Sequence, residues 1–214
     1  MDEEITIINS NTRNEKIMNF FINNKKNIIV GFLIILFAII GYVSMQEINK
    51  QKKTKIANQF NITIINFKTE SKKATVDQLT SLISKNDSTY SPLALYFLID
   101  NNLIDEKNKI NILFDKIINE TTLNEEIKNL VIYKKALFNA DFLSENDLLQ
   151  ILNPIINSES IWKSHSLYLM AEYFYSKNQK KKAKEFYNQI IALPDANYDI
   201  NIESHKRLKR DLGE

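Results

Sequence analysis

Apolar and polar residues collect in this chain into one long apolar block near the start and, after it, stripes that recur every three or four positions. The block is Ile28-Ile-Val-Gly-Phe-Leu-Ile-Ile-Leu-Phe-Ala-Ile-Ile-Gly-Tyr-Val-Ser-Met45, eighteen residues without a charge. As a helix rising about 1.5 Å per residue it extends roughly 27 Å, close to the ~30 Å hydrocarbon thickness of a bilayer. A core helix of a soluble domain keeps a polar stripe, whereas every face is apolar here. The run also exceeds the ~7 to 15 apolar residues of a secretory signal, and Val43-Ser44-Met45 is a poor cleavage site. The block therefore predicts an uncleaved signal anchor, with Tyr42 in the headgroup belt.

Charge on the two flanks is balanced. The fifteen residues on the N-terminal side carry Arg13, Lys16, Lys25 and Lys26, and the fifteen on the C-terminal side carry Lys50, Lys52, Lys53 and Lys55. Lys25 and Lys26 lie nearer the apolar edge, and long C-terminal domains cross largely regardless of their charge, which together predict an N-terminus on the cytoplasmic side.

From Gln46 onward no strand-like alternation lasts more than a few residues, and helical spacing recurs instead, so the chain reads as all-α. Residues 46 to about 69 continue as a helix in which Ile56, Phe60, Ile64 and Phe67 share one face. Further helices are expected near 75–85, 90–103, 107–119, 124–140, 145–157, 161–176, 179–192 and 196–210, joined by short linkers that make neighbours antiparallel. Ser91-Pro92 at a helix entry, Asp105 before Glu106, Ser144 before Glu145 and Pro194 after a helix end supply start and stop chemistry. The expected organisation is a tail (1–27), a transmembrane helix (28–45), a long juxtamembrane helix with a first helix pair (46–89), and a helical repeat domain with a C-terminal capping helix (90–214).

Repeats of 33 to 40 residues are the next feature. Leu167, Met170, Ala171 and Phe174, followed by Ala183, Tyr187 and Ile190 with Pro194 beyond, resemble a tetratricopeptide repeat (TPR), whose small residues let paired helices approach while aromatics fill the gaps. The second-helix triplet recurs upstream as Leu148, Leu152 and Ile155 and as Ile110, Phe114 and Ile117. First-helix partners are Ile132 with Ala136, and Ala94 with Phe97 and Leu98. Lys135 and Asn139 stand where the motif prefers apolar groups. The expected architecture is a TPR-like α-solenoid closed by a charged final helix, Ile202 to Asp211.

Composition narrows the chemistry. With three Gly, three Pro and no Cys among 214 residues, a turn-rich β fold, glycine-based phosphate loops, thiolate metal sites and cysteine nucleophiles have little or no material. A net charge of +2 is too small for a general polyanion binder, so no nucleic acid is expected. His165 and His205 stand forty apart and start no ligand-spaced cluster; His165, beside Trp162 and Tyr168, reads as a packed histidine. No GxSxG, Walker A or dinucleotide fingerprint is present, and adjacent carboxylates such as Glu125 and Glu126 do not converge. The expectation is a non-enzymatic protein without cofactor, metal or small-molecule substrate. Basic runs at Lys177, Lys180, Lys181, Lys182 and Lys184, and at Lys206, Arg207, Lys209 and Arg210, read as solvated faces.

A short tail, one anchor and a small TPR-like domain, with the repeat residues between Tyr90 and Arg210, resemble the YfgM-like family, the ancillary subunit of the bacterial SecYEG translocon. The resemblance implies a single-pass inner-membrane protein with its N-terminus in the cytoplasm and its helical domain in the periplasm. It implies association with the translocon and with a PpiD-type chaperone, and assistance to exported chains. In the repeat register, the residues expected to face a protein-binding groove are Tyr133 and Leu137 in one repeat and Tyr168, Glu172 and Tyr175 in the next. The alternative expectation is a structural adaptor of envelope biogenesis or cell division that self-associates through the long post-membrane helix.

Overall fold

The computed structural model describes residues 2–68 and 71–213. Among these the chain is all-helical, with nine helices and no strand: α1 (Asp2–Asn66), α2 (Lys72–Ile83), α3 (Tyr90–Asp100), α4 (Lys107–Glu120), α5 (Glu125–Asn139), α6 (Glu145–Ile156), α7 (Lys163–Ser176), α8 (Lys180–Ala192) and α9 (Tyr198–Asp211). The segment read as a tail is already helical from Asp2. Two compact units divide the chain, Met1–Lys55 and Ile56–Glu214. The second unit thus begins inside α1.

In the first unit the apolar block leaves its side chains uncovered on every side: Phe32 is 66% exposed, Ile35 60% and Phe37 70%. A helix this long and apolar is able to span a membrane.

In the second unit α1 and the turn that follows it contribute the expected stripe. Phe60 is buried while Ile56, Ile64 and Phe67 are partly covered. Each helix from α2 onward packs on the next, and α2 also meets α4, α5 meets α7, and α7 meets α9. One apolar cluster gathers Phe60, Leu79, Leu95, Leu98, Phe114 and Val131. A second gathers Ala136, Leu152, Met170, Phe174, Tyr187 and Leu208. Ile118 packs against both. All three second-helix triplets lie in these cores, from Ile110, Phe114 and Ile117 to Ala183, Tyr187 and Ile190.

Helix ends follow local chemistry. Ser144 caps α6 by accepting the Asp147 amide at 3.3 Å, and Asn124 caps α5 by accepting that of Glu126 at 3.0 Å. The expected entry at Asp105 is displaced: Glu106 takes the cap position of α4 without a side-chain cap bond, and Asp105 faces Lys72 at 3.6 Å. With so few glycines, the turns after α2, α3 and α7 place Asn86, Asn102 and Asn178 at φ of 53°, 50° and 59°. Asparagine tolerates this left-handed conformation better than other residues with a Cβ. After α7, Gln179 N–H reaches back to the Phe174 carbonyl and Asn178 N–H to that of Tyr175, both at 2.9 Å. Asn178→Gly is expected to stabilise the domain by a few tenths of a kcal/mol and Asn178→Ala to destabilise it by about 1 kcal/mol, read from urea midpoints in detergent.

Candidate functional site

Tyr168, Glu172 and Tyr175 stand four and three residues apart on α7, which puts them on one face. That face is occupied by α9. Arg207 Nε donates to Glu172 Oε1 at 2.7 Å, and Arg207 Nη2 pairs with Oε2 of the same carboxylate, a two-pronged contact. The Tyr187 hydroxyl donates to Glu172 Oε1 from the other side. Arg207 Nη1 also reaches Asp211 Oδ2 at 2.7 Å, and its guanidinium carbon lies 4.7 Å from the centre of the Tyr175 ring. Tyr168 meets Tyr187 edge-on, ring centres 5.8 Å apart. The three candidates on α7 therefore converge on a single arginine supplied by the last helix.

Burial and these bonds fix the protonation states. Burial alone would raise Glu172, but the hydrogen bonds from Arg207 and Tyr187 outweigh it and hold the carboxyl below its ordinary value of 4.5. Arg210 and Arg207 hold Asp211 well below its usual range. Burial, reinforced by the Glu172 charge, pushes Tyr168 up to about 12, and burial with the Glu172 hydrogen bond raises Tyr187 further. Glu172 and Asp211 thus hold fewer protons when folded than when unfolded in acid. Their contribution is complete above about pH 5, begins to fall in the ordinary carboxylate range and is lost as pH drops on through their lowered folded values. Hydrogen exchange corrected for its intrinsic rate is expected to show α9 amides losing protection from pH 6 to pH 3.5, with a smaller change in Glu172→Gln. Removing the arginine in Arg207→Ala, which leaves a half-buried carboxylate unpaired, is expected to cost about 2 kcal/mol.

The two candidates on α5 lie in different surroundings. Tyr133 is partly buried and stacks on Trp162, ring centres 5.9 Å apart, with His165 edge-on at 6.0 Å. Trp162 Nε1 donates to the Glu126 carbonyl at 3.1 Å and Ser160 Oγ donates to the Glu126 carboxylate at 2.8 Å, which pins the α6–α7 turn on the start of α5. Burial holds His165 below the ordinary histidine value. Leu137 remains 49% exposed.

Lys135 and Asn139, the polar departures from the repeat pattern, join α5 to α4. Asn111 and Asn139 exchange amide hydrogen bonds at 3.0 and 2.8 Å, and Lys135 reaches Asp115 at 2.6 Å. Beside them a shallow cleft of about 460 Å³ is bordered by Asn139, Leu143, Asp147, Gln150 and Ile151. Residue spacing did not foresee the Asn111–Asn139 exchange or the Glu172–Arg207 pair. The signal available for the second was a carboxylate set among tyrosines on an apolar helix, a position that requires a cationic partner.

Among the described residues no group of three or more acidic, histidine or cysteine side chains is placed to hold a metal ion. Comparison with protein-family models, curated proteins and solved structures finds no match to this chain.

Proposed function

We propose that this chain is a membrane-anchored, TPR-like scaffold that binds proteins at the periplasmic face of the bacterial inner membrane. In this reading it is an ancillary subunit of the Sec translocon, assisting exported proteins together with a PpiD-type chaperone. One observation carries it: an apolar helix uncovered on every face precedes a helical domain whose paired-helix triplets all lie in the core. Such a stack offers surface and rigidity, and tethering raises the effective concentration of the domain at a membrane complex without demanding high intrinsic affinity. Because α9 covers Tyr168, Glu172 and Tyr175, the open part of the groove is the α5 face around Leu137, with Tyr133 half-buried against Trp162 at its edge.

A reporter fused to the C-terminal end tests the location. Activity of a periplasm-dependent reporter is expected, and activity only of a cytoplasm-dependent one would remove the translocon reading. The second reading is a self-associating adaptor of envelope biogenesis or cell division. It is favoured by Ile62 and Ile65, 58% and 74% exposed on the post-membrane part of α1.

A further inference from the structure

Between Gln46 and Lys55 α1 carries Lys50, Lys52, Lys53 and Lys55 against a single acid, Glu47. All four lysines are exposed. Glu47 is engaged by Gln51, whose Nε2 donates to it at 3.1 Å. None of the four lysines joins an ion pair among the described residues.

Their arrangement around the helix separates two kinds of anionic partner. At about 100° per residue, taking Lys50 as zero, Lys55 falls near 140°, Lys52 near 200° and Lys53 near 300°, so no gap exceeds roughly 140°. An acidic protein surface meets one side of a helix, whereas these lysines form two pairs three residues apart, Lys50 with Lys53 and Lys52 with Lys55, on opposite sides of it. A bilayer surrounds the helix and is met from every direction. Height agrees: from Met45, at 1.5 Å per residue, the lysines stand about 7 to 15 Å beyond the apolar block. The headgroup layer reaches roughly 5 to 8 Å past the hydrocarbon, and flexible lysine stems extend back toward it. The charges thus lie within about one Debye length, ~8 to 10 Å, of the lipid phosphates.

We propose that Lys50, Lys52, Lys53 and Lys55 form a collar that binds the headgroups of anionic phospholipids around the C-terminal end of the anchor. The collar rests on the reading of residues 28–45 as a span. It selects the lipids nearest the helix by charge, with each lysine serving a different sector of the surrounding leaflet.

The test places the full chain in vesicles of equal parts phosphatidylglycerol and phosphatidylcholine, with one or the other lipid spin-labelled. The fraction of motionally restricted label is then read at low and high salt. The expected result is a preference for phosphatidylglycerol of about three- to five-fold at low salt, falling toward one in molar salt. The variant K50Q/K52Q/K53Q/K55Q is expected to lose most of this preference, and each single Lys→Gln change a similar share of it. Restricted lipid without headgroup preference would overturn the collar while leaving the span intact. Absence of restricted lipid of either kind would overturn both. A preference abolished by one lysine alone, or lost in K25Q/K26Q and kept in the quadruple variant, would also overturn the collar.

Discussion

Arginine substituted at both Ile35 and Ile39 is expected to leave the chain outside the membrane. The two positions are four apart in the uncharged run, both well exposed, and share one helix face. Each arginine near the middle of a span opposes insertion by about 2.5 to 3.5 kcal/mol, so together they oppose it by roughly 5 to 7 kcal/mol. Alkaline extraction and flotation of the double variant are expected to find it in the soluble or aggregated fraction, whereas Ile35→Leu with Ile39→Leu behaves as the unaltered chain. Equal retention of the arginine variant would mean that this helix is not held by lipid.

Phe114→Ala is expected to be the most damaging single truncation in the domain. Phe114 is fully buried in the cluster shared by α1, α2, α3 and α4, and its ring lies 6.1 Å from that of Phe138. Alanine removes most of the ring contacts and leaves a cavity, at about 3 to 5 kcal/mol. Against a total stability of about 5 to 15 kcal/mol for a domain of this kind, such a loss brings the unfolded state into view near body temperature. Leu137→Ala, on an exposed position, is expected to change stability by less than about 0.5 kcal/mol. Urea titrations followed by circular dichroism compare the two, and similar midpoints would contradict the assignment of Phe114 to the core.

Much of the fold was legible because helices announce themselves by period. Leu148, Leu152 and Ile155 repeat at spacings of four and three, and burial then follows from which stripe faces a neighbour. The start of α6 was legible for a local reason, since Ser144 caps within three residues. The start of α4 was not: Asp105 has the right chemistry, but its side chain turns to Lys72 instead of the helix amides.

The site was legible in part. Repeat register put Tyr168, Glu172 and Tyr175 on one face, but Arg207 lies 35 residues beyond Glu172 in a helix read only as a charged cap. Pairings across such distances depend on the packing of α9 on α7, which residue spacing does not encode. Asn139 illustrates the same limit, because an amide in an apolar position is tolerated only through the reciprocal bond with Asn111, 28 residues earlier. The left-handed positions Asn86, Asn102 and Asn178 were not legible, because asparagine is abundant throughout this chain and nothing local sets these three apart from those inside helices.

A helical stack held at a membrane to bind other polypeptides should capture them from its exposed α5 face, and a photo-crosslinking residue placed at Leu137 of the full chain in intact membranes reads this out. Adducts with translocon subunits are expected, lost when the Ile35 and Ile39 arginines release the chain. Adducts only between copies of the chain, or none at all, would contradict such capture.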